Sequence, residues 1–292
     1  VSELARASSP DGSAHPLRGR RVVVATMHGK EAVLAPPLRA ALGVEVFVAT
    51  GLDTDCFGTF TGSVPRPGDA LDAARRKVQA ALELAGGSCA VASEGSFGPH
   101  PEVPFLVLAA ELVLLVDREL GLEVMAEDVG TETNFAAVTV ASLPAAMAFA
   151  QRIGFPEHQL VVAPVDEPAA AARGLGDRAA LAAALQPLLR AHGQAVVSTD
   201  MRADRNPTRM RAIARAAERL AARTATLCPD CGWPGYGMVD RERGLPCGAC
   251  GEPTRLVATV VLGCARCGQR QRTGRPDGRE VADPGDCAAC NP

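Results

Sequence analysis

The sequence predicts an α/β fold, a mixed sheet flanked by helices, followed by a small C-terminal double zinc-ribbon domain. Three observations predict it. Short β-branched runs alternate with longer helical patterns, the order that builds a sheet covered by helices. Two apolar runs flank the short turn Asp117–Leu120, which reads as a hairpin and brings an antiparallel element into the sheet. Eight of the ten cysteines fall after residue 227, in four CxxC pairs.

The elements follow in order. Residues 1–19 lack a hydrophobic signal core and read as a flexible tail. "RRVVVAT" (20–26) is a buried strand. "HGKEAVLAPPLRAALG" starts helically, with Pro36-Pro37 expected to kink or restart it. "VEVFVAT" (44–50) is a second strand. Residues 68–87 form a helix with Leu71, Ala74, Val78, Leu82 and Ala85 as its apolar stripe, ended by Gly86-Gly87. "SCAVAS" (88–93) is a strand, and "EGSFGPHP" reads as a polar turn after it. "ELVLLVD" and "GLEVMAEDV" are the hairpin, and Ser142 caps a helix over 142–154. "HQLVVAP" (158–164) and "QAVVST" (194–199) are strands on either side of the helical "GDRAALAAALQPLLRAHG". A last helix runs from Pro207 to about Arg223, with Asn206 as N-cap. Arg211, Arg215, Arg219 and Arg223 run along it and read as a solvated face. The α/β domain thus spans 20–225, and tandem four-cysteine zinc ribbons span 226–292.

Cys228/Cys231, Cys247/Cys250, Cys264/Cys267 and Cys287/Cys290 are the four pairs. Each CxxC knuckle turns two thiolates to one side, and two knuckles complete a tetrahedral all-sulfur site suited to Zn²⁺. Four knuckles make two structural zinc sites. Pairing first with second and third with fourth gives consecutive ribbons; an interleaved cross-brace joins first with third. The strand-like "TRLVATVVLG" between the second and third knuckles favours consecutive ribbons. Thiol redox chemistry fits a closed four-thiolate site least. Cys56 and Cys89 stand apart and read as small buried residues.

Composition excludes several classes. Nearly half the 292 residues are apolar, so the chain is not disordered. No apolar run is long enough to span a membrane; the longest, Val103 to Val116, is broken by Glu111. A cytoplasmic location is the expectation. Net charge is −3, and residues 228–292 carry eight basic and eight acidic side chains, which argues against a simple phosphate-gripping ribbon. Protein contact or domain bracing fits the ribbons better, and a nucleic-acid partner stays open. The chain uses 28 arginines and only two lysines, Lys30 and Lys77. Lysine offers a compact, mobile charge where arginine offers a planar fork, although chance survival on a solvated face is an equal reading.

Ligands of open α/β sheets bind beyond the carboxyl ends of the strands. His28 and Lys30 in "ATMHGKE" lie where a strand gives way to a helix N-terminus, an anion site in waiting. Asp53 and Asp55 in "DTDCFGTF" project to one side if extended, a spacing that suits Mg²⁺. Glu94 follows a strand directly, Gly95 lets backbone approach a ligand, and Pro99 and Pro101 stiffen His100. Arg202 and Arg209 surround the N-terminus of the last helix, in "TDMRADRNPTRM".

Together, "ATMHGKE", "DTDCFGTF", "SEGSFGPHP", "GTETNF" and "TDMRADRNPTRM", followed by CxxC knuckles, resemble an uncharacterised prokaryotic family carrying a domain of unknown function. More distantly, Thr26, His28 and Lys30 at a loop, Asp72, Arg75 and Lys77 on a helix, and Glu94 after a strand resemble the inosine-triphosphate-pyrophosphatase-like fold. Here His28 stands where that family has Asn, and the loop is one residue shorter. The resemblance implies a nucleoside-triphosphate cleft, Mg²⁺ on carboxylates and water attack.

The expected function is Mg²⁺-dependent hydrolysis of a nucleotide or phosphate ester. Glu94, Asp53, Asp55 and His100 would be its catalytic residues, and His28, Lys30, Arg202 and Arg209 would bind phosphate. The alternative is a non-enzymatic zinc-ribbon module contacting protein or nucleic acid.

Overall fold

The computed structural model describes residues 14–53, 68–100, 103–166 and 170–292. It divides into two compact units. One is Leu17–Ala221; the other joins Ala222–Pro292 to the residues preceding Leu17. Most of the expected N-terminal tail, together with Asp55 and Cys56, lies outside the described residues.

The first unit holds two sheets. Five strands run in the order β2-β1-β3-β4-β5: β1 (Arg21–Ala25), β2 (Glu45–Val48), β3 (Cys89–Pro99), β4 (Val107–Asp117) and β5 (Leu122–Gly130). β2, β1 and β3 are parallel, while β3, β4 and β5 form an antiparallel meander, so the sheet is mixed. The second sheet is antiparallel throughout, in the order β6-β9-β7-β8: β6 (Ala137–Val140), β7 (Leu160–Ala163), β8 (Ala172–Leu175) and β9 (Ala195–Thr199). Helices α3 (Leu143–Ile153) and α4 (Arg178–His192) cover it, sealing Phe149, Leu160, Leu181 and Leu185 in its core.

Local chemistry fixes most helix ends. Asp69, Ser142 and Asp177 each accept a backbone N–H from the first turn of α2 (Ala70–Ala85), α3 and α4, and Gly86, Gly154 and Gly193 close them in the left-handed conformation. Helix α1 (Glu31–Leu42) differs from expectation. It runs through Pro36 and Pro37 without a restart, and Leu34, Ala35, Leu38 and Leu42 are buried along it. Their burial offsets the two hydrogen bonds the prolines delete.

β3 departs furthest from the sequence reading. "EGSFGP" is strand, because all eleven residues of β3 pair with β4, from Cys89↔Asp117 to Pro99↔Val107. The expected polar turn is therefore the outer half of a long strand that continues past the end of β1. Cross-strand partners share a face of the sheet. One row is Glu94 opposite Leu112; the next is Gly95, Glu111 and Asp128 across three strands. Ala90, Ala92, Leu112 and Leu114 pack with Ala74, Val78, Ala81 and Leu82 of α2, which assigns the Glu94 row to the α2 face. Helix α5 (Pro207–Ala225) meets the other row: Arg209 pairs with Glu111, while Arg215 and Arg219 pair with Asp128. Arg211 and Arg219 of the stripe are exposed as expected, while Arg215 and Arg219 also reach Asp128 of β5.

Asn206 starts α5 as expected, and it does more than cap. Fully buried, it accepts the Arg209 N–H at 3.0 Å and donates to Asn134 Oδ1 at 2.9 Å and to the Asp200 carbonyl at 3.2 Å. Replacing it with alanine removes the cap and strands partners inside the protein. Asn206→Ala is expected to cost about 2 kcal/mol, read from the shift in a urea unfolding midpoint; a shift within error would show that the cap is dispensable.

The second unit is built on a three-stranded antiparallel sheet, β10 (Gly237–Arg243), β11 (Val257–Gly263) and β12 (Arg270–Thr273). Cys228, Tyr236 and Cys264 form one buried cluster in it, with Trp233 and Leu262 against them, and Leu245, Val260 and Val261 are buried as well.

Candidate metal centres and a buried charge cluster

Four knuckles decorate the small sheet. In each, the residue after the second cysteine returns its N–H to the carbonyl of the first: Gly232 to Cys228, Gly251 to Cys247, Gly268 to Cys264 and Asn291 to Cys287. The three glycines sit at φ of 67°, 78° and 75°, where a side chain would be strained.

The knuckles interleave. Cys228 and Cys231 join Cys264 and Cys267; Cys247 and Cys250 join Cys287 and Cys290. This corrects the expectation of consecutive ribbons. The reason is the β10–β11 hairpin. Gly237 pairs with Gly263, so the knuckle before β10 and the knuckle after β11 lie at one end. Arg243 pairs with Val257 at the other end, where the second knuckle follows, and Cys247 bridges Ala282 to bring in the fourth. The strand between the second and third knuckles, read as a sign of consecutive ribbons, is what carries the third away from the second.

Both tetrads fit zinc. The cross-knuckle Sγ–Sγ distances are 3.7, 3.7, 3.8 and 3.7 Å. A tetrahedron with Zn–S bonds of about 2.3 Å has edges of about 3.8 Å. All four ligands in each site are thiols, and such closed sites serve structure. Backbone N–H groups of Cys250 and Ala249 draw the Cys247 thiol down to about 7, while hydrogen bonds with Cys250 and Cys247 push Cys290 in the same tetrad up to about 12. At the lone Cys89, burial, and then Asp117, push the thiol up to about 12, which leaves it inert as expected.

The α/β unit carries a different cluster where β1 ends and β3 continues. Lys30, Lys77, Glu94, Glu111 and Arg209 are all buried there. Glu94 and Lys77 form an ion pair on the α2 face. On the α5 face Arg209 Nε meets Glu111 Oε1 at 2.6 Å, Arg209 also donates to the Met201 carbonyl, and its guanidinium lies 5.5 Å from the Phe97 ring centre. Gly95 makes room for that pair. A Cβ there would meet Glu111 Oε1 at 2.7 Å and Arg209 Nη2 at 2.9 Å, so the glycine serves an internal ion pair where the sequence suggested a ligand.

Lys30 stands between the two pairs. It is the residue before the first turn of α1, and its Nζ donates to the Ser93 carbonyl at 3.4 Å. Among the described residues no carboxylate lies within ion-pair distance of it. Ser93 is 1% exposed, and its Oγ has no hydrogen-bond partner among the described residues. Burial lowers the Lys30 pKa to about 7, and the Arg209 and Lys77 charges lower it further than Glu111 and Glu94 restore.

The other candidate residues are placed as follows. Asp53 is exposed beyond β2. His28 faces Asp204, Nδ1 to Oδ1 at 3.6 Å. Arg202 grips Asp200 with two nitrogens, at 3.1 and 2.6 Å, and Asp200 also accepts the Gly174 N–H. His100 closes the turn after β3: its Nδ1 accepts the Val103 N–H and its own N–H reaches the Leu106 carbonyl. Asp72 and Arg75 of α2 are half exposed, Arg75 pairing with Glu123. The structure therefore gathers Lys30, Glu94 and Arg209 and holds Arg202 in its own pair. Lys77 and Glu111 were missed as site residues. Their signals were present: a charge inside the apolar stripe of a helix, and a single carboxylate in an apolar strand.

A family defined by a domain of unknown function, DUF6671, matches residues 77–292. The chain belongs to that family. The match takes in Lys77, Glu94, Glu111, Arg209 and all eight knuckle cysteines, and Lys30 lies before it. No curated protein matches the chain. Nothing in these comparisons supports the resemblance to the inosine-triphosphate-pyrophosphatase-like fold.

The pairing of the knuckles and the burial of Lys30 can each be tested. Changing Cys228 and Cys264 together to serine should leave one zinc per chain by metal analysis, whereas changing Cys228 and Cys247 should lose both; the reverse result would restore consecutive pairing. Lys30 is a burden on folding when protonated, since the unfolded chain holds an ordinary lysine of about 10.4. The burden is full below pH 7 and fades as pH rises toward 10. The stability of the native protein relative to Lys30→Met should therefore climb across that window in parallel denaturant titrations, and a flat difference would contradict the assignment.

Proposed function

We propose that the α/β unit binds a small phosphorylated ligand, a nucleotide or phosphate ester, at the carboxyl end of β1 beside the continuing β3, and hydrolyses it. The observation that carries this reading is the buried Lys30, set at the start of α1 with no carboxylate partner among the described residues. The helix dipole favours an anion at that end, where the Ala32 and Val33 N–H groups already meet the Gly29 and Lys30 carbonyls.

The carboxylates support a narrower role than the sequence suggested. Glu94 and Glu111 are each engaged by a cation, so they hold the site's shape. A Mg²⁺ ion carried in with the ligand phosphate fits this site better than one caged by protein carboxylates. The zinc unit serves as a stable attachment that contacts a protein partner.

The test is a calorimetric binding screen with nucleoside triphosphates and sugar phosphates, with and without Mg²⁺, alongside a phosphate-release assay. Native protein should bind at least one class, and Lys30→Met should weaken that binding by about tenfold or more, as loss of a charged hydrogen bond does. Equal binding by the variant would remove Lys30 from the site.

A further inference from the structure

We propose that Lys30 is a nucleophilic amine, and that the α/β unit takes a small phosphorylated aldehyde or ketone which Lys30 holds as an imine. The inference rests on the ligand site above for the phosphate, and goes beyond it in assigning a covalent step.

Three features of the geometry point to a neutral amine. Lys30 is buried, and its Nζ makes one hydrogen bond among the described residues, to a carbonyl oxygen at 3.4 Å. Its charged neighbours are already balanced in pairs, Lys77 with Glu94 across α2 and β3, and Arg209 with Glu111 across α5 and β4. Lys30 also precedes the first turn of α1, where the helix dipole opposes a positive charge. A lysine beside other cations in a desolvated site is the usual way to make an amine nucleophilic near neutral pH. The shift of its pKa to about 7 agrees with that reading.

Residue choice adds an independent argument. The chain meets its need for positive charge with 28 arginines, yet two lysines remain and both are in this cluster. Arginine cannot lose its proton in a protein; lysine can. The site keeps the one cationic residue that can become a nucleophile. Ser93 supplies a second pointer. Its Oγ, buried without a partner among the described residues, leaves a hydrogen-bonding group on the residue whose carbonyl the amine meets. Ser93 belongs to the same sheet face as Gly95 and Glu111.

The chemistry balances without a further reagent. The Nζ lone pair adds to the carbonyl carbon as the C–O π pair takes up a proton. That proton is matched by one the nitrogen releases, giving the neutral carbinolamine; its hydroxyl then takes a proton from solvent and leaves as water as the nitrogen lone pair forms the C=N bond, and the iminium nitrogen returns a proton to solvent. Ser93 Oγ is the group assigned to hydrogen-bond the departing oxygen.

The test uses the full chain with its zinc and pyridoxal 5′-phosphate as a phosphorylated aldehyde. Borohydride fixes any imine by delivering hydride to carbon, and peptide mass spectrometry reads the site. With two lysines in the chain, assignment is direct. At pH 7, native Lys30 should label more than about tenfold faster than Lys30 in the urea-unfolded chain, which has an ordinary lysine's small neutral fraction. Its rate should reach half-maximum near pH 7, and Ser93→Ala should slow it while leaving the fold intact by circular dichroism. Labelling confined to Lys77 or the N-terminus, or a Lys30 rate that only rises above pH 10, would overturn the proposal. An unphosphorylated aldehyde, propanal, separates the two readings. Equal Lys30 labelling by propanal keeps the amine and removes the phosphate site. Nucleotide binding without Lys30 labelling by either aldehyde does the reverse.

Discussion

Burying the guanidinium of Arg209 costs several kcal/mol unless a carboxylate meets it, and Glu111 meets it at 2.6 Å. Much of the α/β unit is arranged around that requirement. The pair needs a strand neighbour without a side chain, and Gly95 is that neighbour. It needs α5 to begin at a fixed height over the sheet, and Asn206 sets the start by capping the helix while bonding Asn134 and Asp200. Arg215 and Arg219 then extend the same contact along Asp128. The other face repeats the logic with Lys77 and Glu94, which tie α2 to the outer half of β3.

These two pairs give Lys30 its character. If either carboxylate lay nearer, the amine would be an ordinary ammonium ion in a third salt bridge. Because each is taken, Lys30 meets a dry site with positive neighbours. Four groups of the cluster thus neutralise one another in pairs, and Lys30 has no carboxylate within ion-pair distance among the described residues. Such a site stores free energy in the folded state, which is common where function and stability compete.

The zinc unit solves a different problem. Leu245, Val260, Val261 and Tyr236 are buried in it, but a unit of this size gains from a metal staple. Two interleaved tetrads cross-link both ends of one hairpin, so each metal restrains segments far apart in sequence. All eight knuckle cysteines fall into those two tetrads.

Much of this was legible beforehand. Ser142, Asn206, Gly86 and the four CxxC pairs act locally, through a cap, a left-handed turn or a knuckle, and local chemistry needs no tertiary knowledge. The alternation of strands and helices announced the mixed sheet, and strand-end logic put Lys30, Glu94 and Arg209 among the candidates. What the sequence could not supply is which distant partners neutralise one another. "SEGSFGPHP" reads as a turn because Gly and Pro break isolated strands; it is a strand because β4 pairs with every residue from Cys89 to Pro99. The same pairing places Glu111 beside Gly95 and under Arg209, turning a presumed ligand glycine into space for an ion pair. Knuckle partners, likewise, follow from the register of β10 on β11 and not from order along the chain. Residue types and local turns were fixed by sequence; charge balance and metal pairing were decided by contacts between segments, because an electrostatic partner is defined by distance in space.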